Sequence, residues 1–138
     1  MCAAKTAIAP NDDQAIHPRC TQMSRSLGAA FGLTPDSEVS IEVDPRTVDA
    51  GRLQTLAELG FNRISFGVQD FDPDVQAAVN RQQSEEQIYA LVAAARAAQF
   101  KSVSVDLIYG LPLQTVASFD VTLSKIIALR PDRIAAYS

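Results

Sequence analysis

Two rhythms of apolar and polar residues alternate along this chain. Short runs rich in β-branched residues, at 39–43, 63–68, 103–109 and 133–137, read as strands. Between them apolar residues recur every three or four positions, the spacing that lines side chains along one face of a helix. Met23, Leu27, Ala30 and Phe31 form the first stripe, closed by Gly32, a residue suited to the left-handed conformation that ends a helix. Thr47 is placed to cap a second helix with Leu53, Leu56 and Ala57 on its apolar face and Gly60 just beyond. Ser84 with Gln87 three positions later has the form of a capping box, and Ile88, Leu91, Val92 and Ala95 mark the buried stripe of an alanine-rich helix. Val116, Phe119, Leu123, Ile126 and Ile127 give one more, halted by Pro131.

Strand and helix thus alternate to the last residue, and an internal echo reinforces the pattern. Gly60-Phe-Asn-Arg-Ile-Ser, Gln99-Phe-Lys-Ser-Val-Ser and Arg130-Pro-Asp-Arg-Ile-Ala each carry a helix end into an apolar strand. Repeated units of this kind generate a parallel sheet, so the expected fold class is α/β, a partial parallel (β/α) barrel. Residues 1–19 mix Ala, Pro, Asn and Asp without a period and are expected to be poorly ordered, and residues 20–138 are expected to be the middle portion of the barrel. The strands at 39 and 133 would each leave an edge unpaired, a known aggregation hazard. With 138 residues against the roughly 250 of a complete eight-unit barrel, the expectation is an internal piece that can self-associate through its open edges.

Composition narrows the function classes. The formal charge of −4 comes with no cluster of Lys or Arg, which argues against a nucleic-acid partner. No apolar run is long enough to span a bilayer and the N-terminus lacks a signal-peptide layout, so a cytoplasmic protein with no membrane partner is expected. Two cysteines, Cys2 and Cys20, do not make a disulfide framework, and Cys20 with His17 is only half of a metal site.

Candidate chemistry gathers where strands run out. In parallel α/β folds ligands bind outside the carboxyl ends of the strands. Glu42 lies near the end of its strand between Ile41 and Val43, whose side chains point to the other face. It could accept from an ammonium or hydroxyl group of a ligand, or from a neighbouring strand. Gln69 follows Gly67, where backbone and ligand can come close, and its amide offers both donor and acceptor. Asp106 sits inside an apolar strand before a Gly-Leu-Pro loop, and such an acid must find donors, whether ribose hydroxyls or a protein arginine. Arg81, in the run before the long helix, could fork onto a carboxylate or simply be solvated. No dinucleotide fingerprint, phosphate loop or nucleophile elbow accompanies them.

Linked motifs carry the reading further. Ser40-Ile-Glu-Val-Asp-Pro45, Gly60-Phe-Asn-Arg63, Gly67-Val-Gln-Asp-Phe71, Val79-Asn-Arg-Gln82 and Asp106-Leu-Ile-Tyr-Gly-Leu-Pro112 resemble, in the same order, the oxygen-independent coproporphyrinogen III oxidases of the radical S-adenosylmethionine superfamily. The resemblance runs from about Cys20 to the last residue. It implies a barrel of the radical S-adenosylmethionine type and an enzyme of haem biosynthesis. That enzyme oxidatively decarboxylates two propionates of a porphyrinogen substrate, coproporphyrinogen III, giving protoporphyrinogen IX. The reaction uses a 5′-deoxyadenosyl radical obtained from S-adenosylmethionine at a 4Fe-4S cluster, and the family members are monomeric. Glu42 resembles the glutamate that contacts one S-adenosylmethionine, and Gln69, Arg81 and Asp106 resemble the residues that hold a second. A haem-chaperone branch of the superfamily reads Ala-Asn-Pro where this chain has Val43-Asp-Pro45, and Ser-Phe where it has Asp70-Phe71, so the residues favour the oxidase.

The departures matter equally. The family's Cys-x-x-x-Cys-x-x-Cys motif, which ligates the cluster, is absent, and so is the Gly-Gly-Thr-Pro loop, with unrelated residues from Thr6 to Asp13 in its place. The expectation is a piece of the family enzyme that is inactive alone. The alternatives are a module that binds S-adenosylmethionine, or docks on a partner, without catalysis, and a haem-chaperone-type relative.

Overall fold

The computed structural model describes residues 16–34 and 36–138. Strands β1 (Ser40–Val43), β2 (Arg63–Gln69), β3 (Ser102–Ile108) and β4 (Arg133–Tyr137) pair in sequence order, all parallel. Helix α1 (Ile16–Phe31) precedes the sheet. The crossovers hold α2 (Ala50–Glu58), then α3 (Pro73–Ala78) and α4 (Glu85–Ala97), then α5 (Val116–Leu129). The sheet is open, with β1 and β4 as its edges, which is the expected partial barrel. Helix α1 starts at Ile16, inside the stretch 1–19 expected to be irregular; residues 1–15 of that stretch lie outside the described residues.

Period-two alternation gives the sheet two unlike faces. Ile41, Val43, Ile64, Phe66, Val68, Val103, Val105 and Leu107 are buried and share one core with Leu53 and Leu56 of α2, the stripe of α4, and Ile126 and Leu129 of α5. Each such side chain withdrawn from water contributes about 1.5–3 kcal/mol, so a register slip, which turns every one of them to the other face, is strongly disfavoured. The opposite face carries the rows Ser40–Arg63–Ser102, Glu42–Ser65–Ser104–Arg133 and Gly67–Asp106–Ala135. Arg63 is held there by an ion pair with Glu38. A parallel strand with both faces packed on helices reads as continuous apolar sequence; these strands do not, because one face is kept polar.

Three local features depart from the sequence pattern. The N-cap of α2 is Asp49, whose carboxylate accepts from Arg52 N at 2.8 Å, rather than Thr47. Thr47 instead ends a single 3-10 turn, Pro45–Thr47, and its hydroxyl donates to Asp44 O at 2.9 Å. Helix α3 was not expected; Asp72 caps it, accepting from Asp74 N and Val75 N, with Pro73 in its first turn. Ser84 caps α4, accepting from Gln87 N at 3.1 Å, but the Gln87 amide donates to Pro45 O at 3.0 Å instead of closing a box. The reciprocal box stands at α5, between Thr115 and Ser118.

Candidate functional site at the carboxyl ends of the strands

Strand β2 organises the site through Ser65 and Gly67, alternate residues on the polar face, and through Gln69, whose amide stands over Gly67 after a shift of register. Ser65 stands between Glu42 on β1 and Ser104 on β3, and its hydroxyl donates to Asp106 Oδ1 at 2.7 Å. Glu42 and Asp106 therefore lie on either side of one serine. Asp106 is buried, and a buried acid needs donors such as this hydroxyl.

Two residues further on, Gln69 and Arg81 meet over Gly67. A Cβ placed on Gly67 would stand 2.9 Å from Gln69 Nε2, 3.5 Å from Arg81 Nη2 and 3.9 Å from Val43 O. Only glycine leaves this cradle clear. The Arg81 Nε is buried and has no hydrogen-bond partner among the described residues. An unpaired buried guanidinium N–H costs about 1–3 kcal/mol, which a ligand carboxylate placed against it would recover.

The backbone at Gln69 is strained. The register shifts between Gly67 and Gln69, Gln69 has φ 68°, and Asp70 N donates to Val68 O at 2.9 Å. A bond from residue i+2 to residue i around a positive φ is the rarer, strained γ-turn. Such geometry persists where its surroundings over-determine it, often at ligand sites. Asp70 supplies that restraint: its buried carboxylate accepts from Asp72 N at 2.8 Å, from the Thr122 hydroxyl at 2.5 Å and from the Gln114 amide, while Gln76 Nε2 donates to its carbonyl at 2.8 Å. The loop after β2 is thereby tied to α3 and α5.

Arg81 is held by Asp44, the residue after β1. Arg81 Nη2 donates to Asp44 Oδ2 at 2.9 Å, and Arg46 donates to the same carboxylate through Nε at 3.0 and 3.2 Å and through Nη2 at 2.7 Å. Burial is the largest influence on Asp44 and raises its pKa. The Arg46 side-chain and backbone hydrogen bonds and the charges of Arg81 and Arg46 together outweigh it, so the net shift is downward.

The structure thus brings Glu42 and Asp106 together through Ser65, and Gln69 and Arg81 together over Gly67. Asp44 and Asp70 were visible in the sequence only as members of motifs; their roles depend on Arg81 and Thr122, far along the chain. The polar face also bears a 130 Å³ pocket whose lining includes Glu42, Arg63, Ser65, Ser104 and Arg133. A cavity of 410 Å³ opens at the other end of the strands, beside Val39, Phe61, Asn62 and Lys101. It holds none of the candidate residues and sits at the amino ends of the strands, where a parallel α/β sheet does not place its ligand.

Residues 12–126 match the family model described as the Radical SAM superfamily. The chain belongs to that superfamily. Among curated radical SAM relatives, it is 55% identical over 109 residues to the oxygen-independent coproporphyrinogen III oxidase of Thermostichus vulcanus, covering 79% of this chain and 34% of the relative. It is 52% identical over 101 residues to that of Pseudomonas aeruginosa, covering 73% and 22%. The chain therefore spans about a third or less of the length of these relatives. The solved coproporphyrinogen III oxidase of Escherichia coli, described as a radical SAM enzyme, superposes with a TM-score of 0.82 at 45% identity, over 88% of this chain and 28% of that one. A radical S-adenosylmethionine methyltransferase from Kitasatospora setae shares the fold alone, at a TM-score of 0.66 and 16% identity, over 84% of this chain and 23% of that one.

Radical SAM membership implies S-adenosylmethionine and a 4Fe-4S cluster, and the residues answer differently to the two. The Gly67 cradle, the orphaned Arg81 Nε and two acids beside Ser65 fit a zwitterionic nucleoside. The cluster does not fit. Two cysteines, at positions 2 and 20, cannot supply the three-cysteine motif, and among the described residues no group of three or more His, Cys, Asp or Glu is placed to hold a metal ion. No helix of the described residues is long and apolar enough to cross a membrane.

Proposed function

We propose that this chain is the S-adenosylmethionine-holding portion of an oxygen-independent coproporphyrinogen III oxidase, and that its 138 residues bind that nucleoside without cleaving it. The reaction of the whole enzyme is the oxidative decarboxylation of coproporphyrinogen III to protoporphyrinogen IX. S-adenosylmethionine supplies the 5′-deoxyadenosyl group for hydrogen abstraction from the propionate. The chain's own residues bind and orient. Arg81 offers its Nε–H and a fork of donors to the methionyl carboxylate of one molecule, Gln69 donates and accepts beside it and Asp106 accepts from its ammonium or ribose hydroxyl groups, while Glu42 accepts from a separately bound S-adenosylmethionine. The polar face leads from these residues toward the barrel interior, where a porphyrinogen substrate would enter. Identity to oxidases above half of aligned positions supports the substrate.

The buried, unpartnered Arg81 Nε beside Gly67 carries this reading. Titration calorimetry of the 138-residue chain with S-adenosylmethionine tests it. The expected result is saturable binding, weakened about tenfold or more by Arg81→Ala, with no 5′-deoxyadenosine formed after anaerobic incubation with iron, sulfide and dithionite. Equal affinity in the Arg81→Ala variant refutes the site, and formation of 5′-deoxyadenosine refutes the inactivity.

A further inference from the structure

Arginine is long and flexible, with about 2 kcal/mol of rotamer entropy to lose when it is fixed on a ligand. Arg81 enters the site from the loop between α3 and α4, so its guanidinium needs an external restraint. Asp44 provides one, and it does so as half of a pair. Arg46 donates to both oxygens of that carboxylate, its backbone N–H donates to Oδ1 at 3.0 Å, and its Nη1 donates to Asn80 O at 2.9 Å. Arg46 therefore spans from Asp44 to the residue immediately before Arg81. Gln87 fixes the other side of the turn by donating to Pro45 O at 3.0 Å.

The charges make the arrangement informative. An isolated aspartate against Arg81 would orient it and neutralise it together, leaving no net attraction for an anion. Here one carboxylate faces two guanidinium groups, so the cluster keeps an excess of one positive charge. We propose that Asp44 and Arg46 are positioning residues for Arg81, Asp44 fixing the plane of its guanidinium and Arg46 offsetting the charge of Asp44, so that Arg81 stays both held and cationic toward a ligand carboxylate. The ligand half of this statement rests on the S-adenosylmethionine reading above, whereas the restraint on Arg81 does not.

The experiment uses the full chain and two readouts. Nitrogen-15 spectra of the arginine side chains follow rotation of the Arg81 guanidinium about its Nε–Cζ bond without ligand. Calorimetry compares S-adenosylmethionine with its decarboxylated analogue. Asp44→Asn should speed the rotation and weaken S-adenosylmethionine by about five- to tenfold, leaving the analogue unchanged. Arg46→Gln should leave the rotation slow, because Asp44 then pairs wholly with Arg81, yet weaken S-adenosylmethionine to a similar degree. A purely structural role for either residue would move the spectra in the same direction in both variants and weaken both ligands, and that pattern overturns the proposal. So does a rotation rate unchanged in Asp44→Asn. If the parent chain binds no S-adenosylmethionine, the ligand half falls with the reading it rests on, and the spectra alone uphold or overturn the restraint.

Discussion

Replacing Gly67 by alanine separates the site from the fold. The added Cβ would lie 2.9 Å from Gln69 Nε2, so that amide must retreat by about 0.5 Å to reach an ordinary contact. Its other neighbours, Arg81 Nη2 at 3.5 Å and Val43 O at 3.9 Å, are already at contact distance and need not move. Gly67 does not have positive φ, so alanine fits the backbone and gains about 0.4–1 kcal/mol from a less free unfolded chain. Forcing Gln69 off its rotamer costs about 0.5–1.5 kcal/mol in return. The two nearly cancel, and the midpoint of thermal unfolding should stay within about 6 °C of the parent. Binding has no such compensation: the cradle is filled and one amide hydrogen bond is displaced, a loss of about 1.4 kcal/mol or tenfold in affinity for S-adenosylmethionine. Calorimetry and a thermal melt on the same sample decide it. Unchanged affinity, or a fall in the midpoint beyond about 10 °C, would refute the reasoning, the first by removing the cradle from the site and the second by making it part of the core.

Three further outcomes are expected. Asp106→Asn keeps an acceptor for the Ser65 hydroxyl and loses the charge, so equilibrium dialysis should show S-adenosylmethionine weakened about tenfold while stability in urea changes by less than about 1 kcal/mol; a loss of stability without loss of affinity would make Asp106 a structural acid. The lowered pKa of Asp44 means that its carboxylate stabilises the fold fully above its ordinary value of 3.8 and loses that contribution as pH falls toward the lower, folded value. The stability gap between parent and Asp44→Asn in urea titrations should therefore be open at about pH 6 and narrow below about pH 3, and a gap that widens in acid contradicts the assignment. Asp49→Ala should cost about 1 kcal/mol through loss of the α2 cap, and a larger loss for Thr47→Ala in the same denaturation assay would return the cap to Thr47.

The sheet was legible because its signal is periodic and repeated: apolar and polar residues alternate along β1 and most of β2 and β3, and each helix before a strand ends in a residue that breaks the pattern. What escaped was decided over short or long distances that periodicity does not sample. Helix α3 has six residues, too few for a helical period, and its signal was the pair Asp72-Pro73. The start of α2 moved past Thr47 because the Asp44 carboxylate catches Arg46 N and spends residues 45–47 on a tight turn. Glu42, Gln69 and Asp106 could be named as candidates from residue type and strand position, and Arg81 from its place in the run before the long helix. The partners that give them geometry lie on other elements, as with Asp44 for Arg81 and Ser65 for Asp106. The strain at Gln69 was invisible for a simpler reason, since positive φ is normally announced by glycine and here it is not.

That strained turn sets durability against usefulness at a single position. Glycine at 69 would adopt φ 68° freely and relieve a strain of about 1–3 kcal/mol, a large share of what holds a small domain together. It would also delete the amide that stands over Gly67. A chain shaped for its fold alone would place glycine at this turn. On the S-adenosylmethionine reading proposed above, its glutamine marks position 69 as one where a sturdier protein would hold that ligand less well, and where substitutions chosen to raise thermal stability are the ones to distrust first.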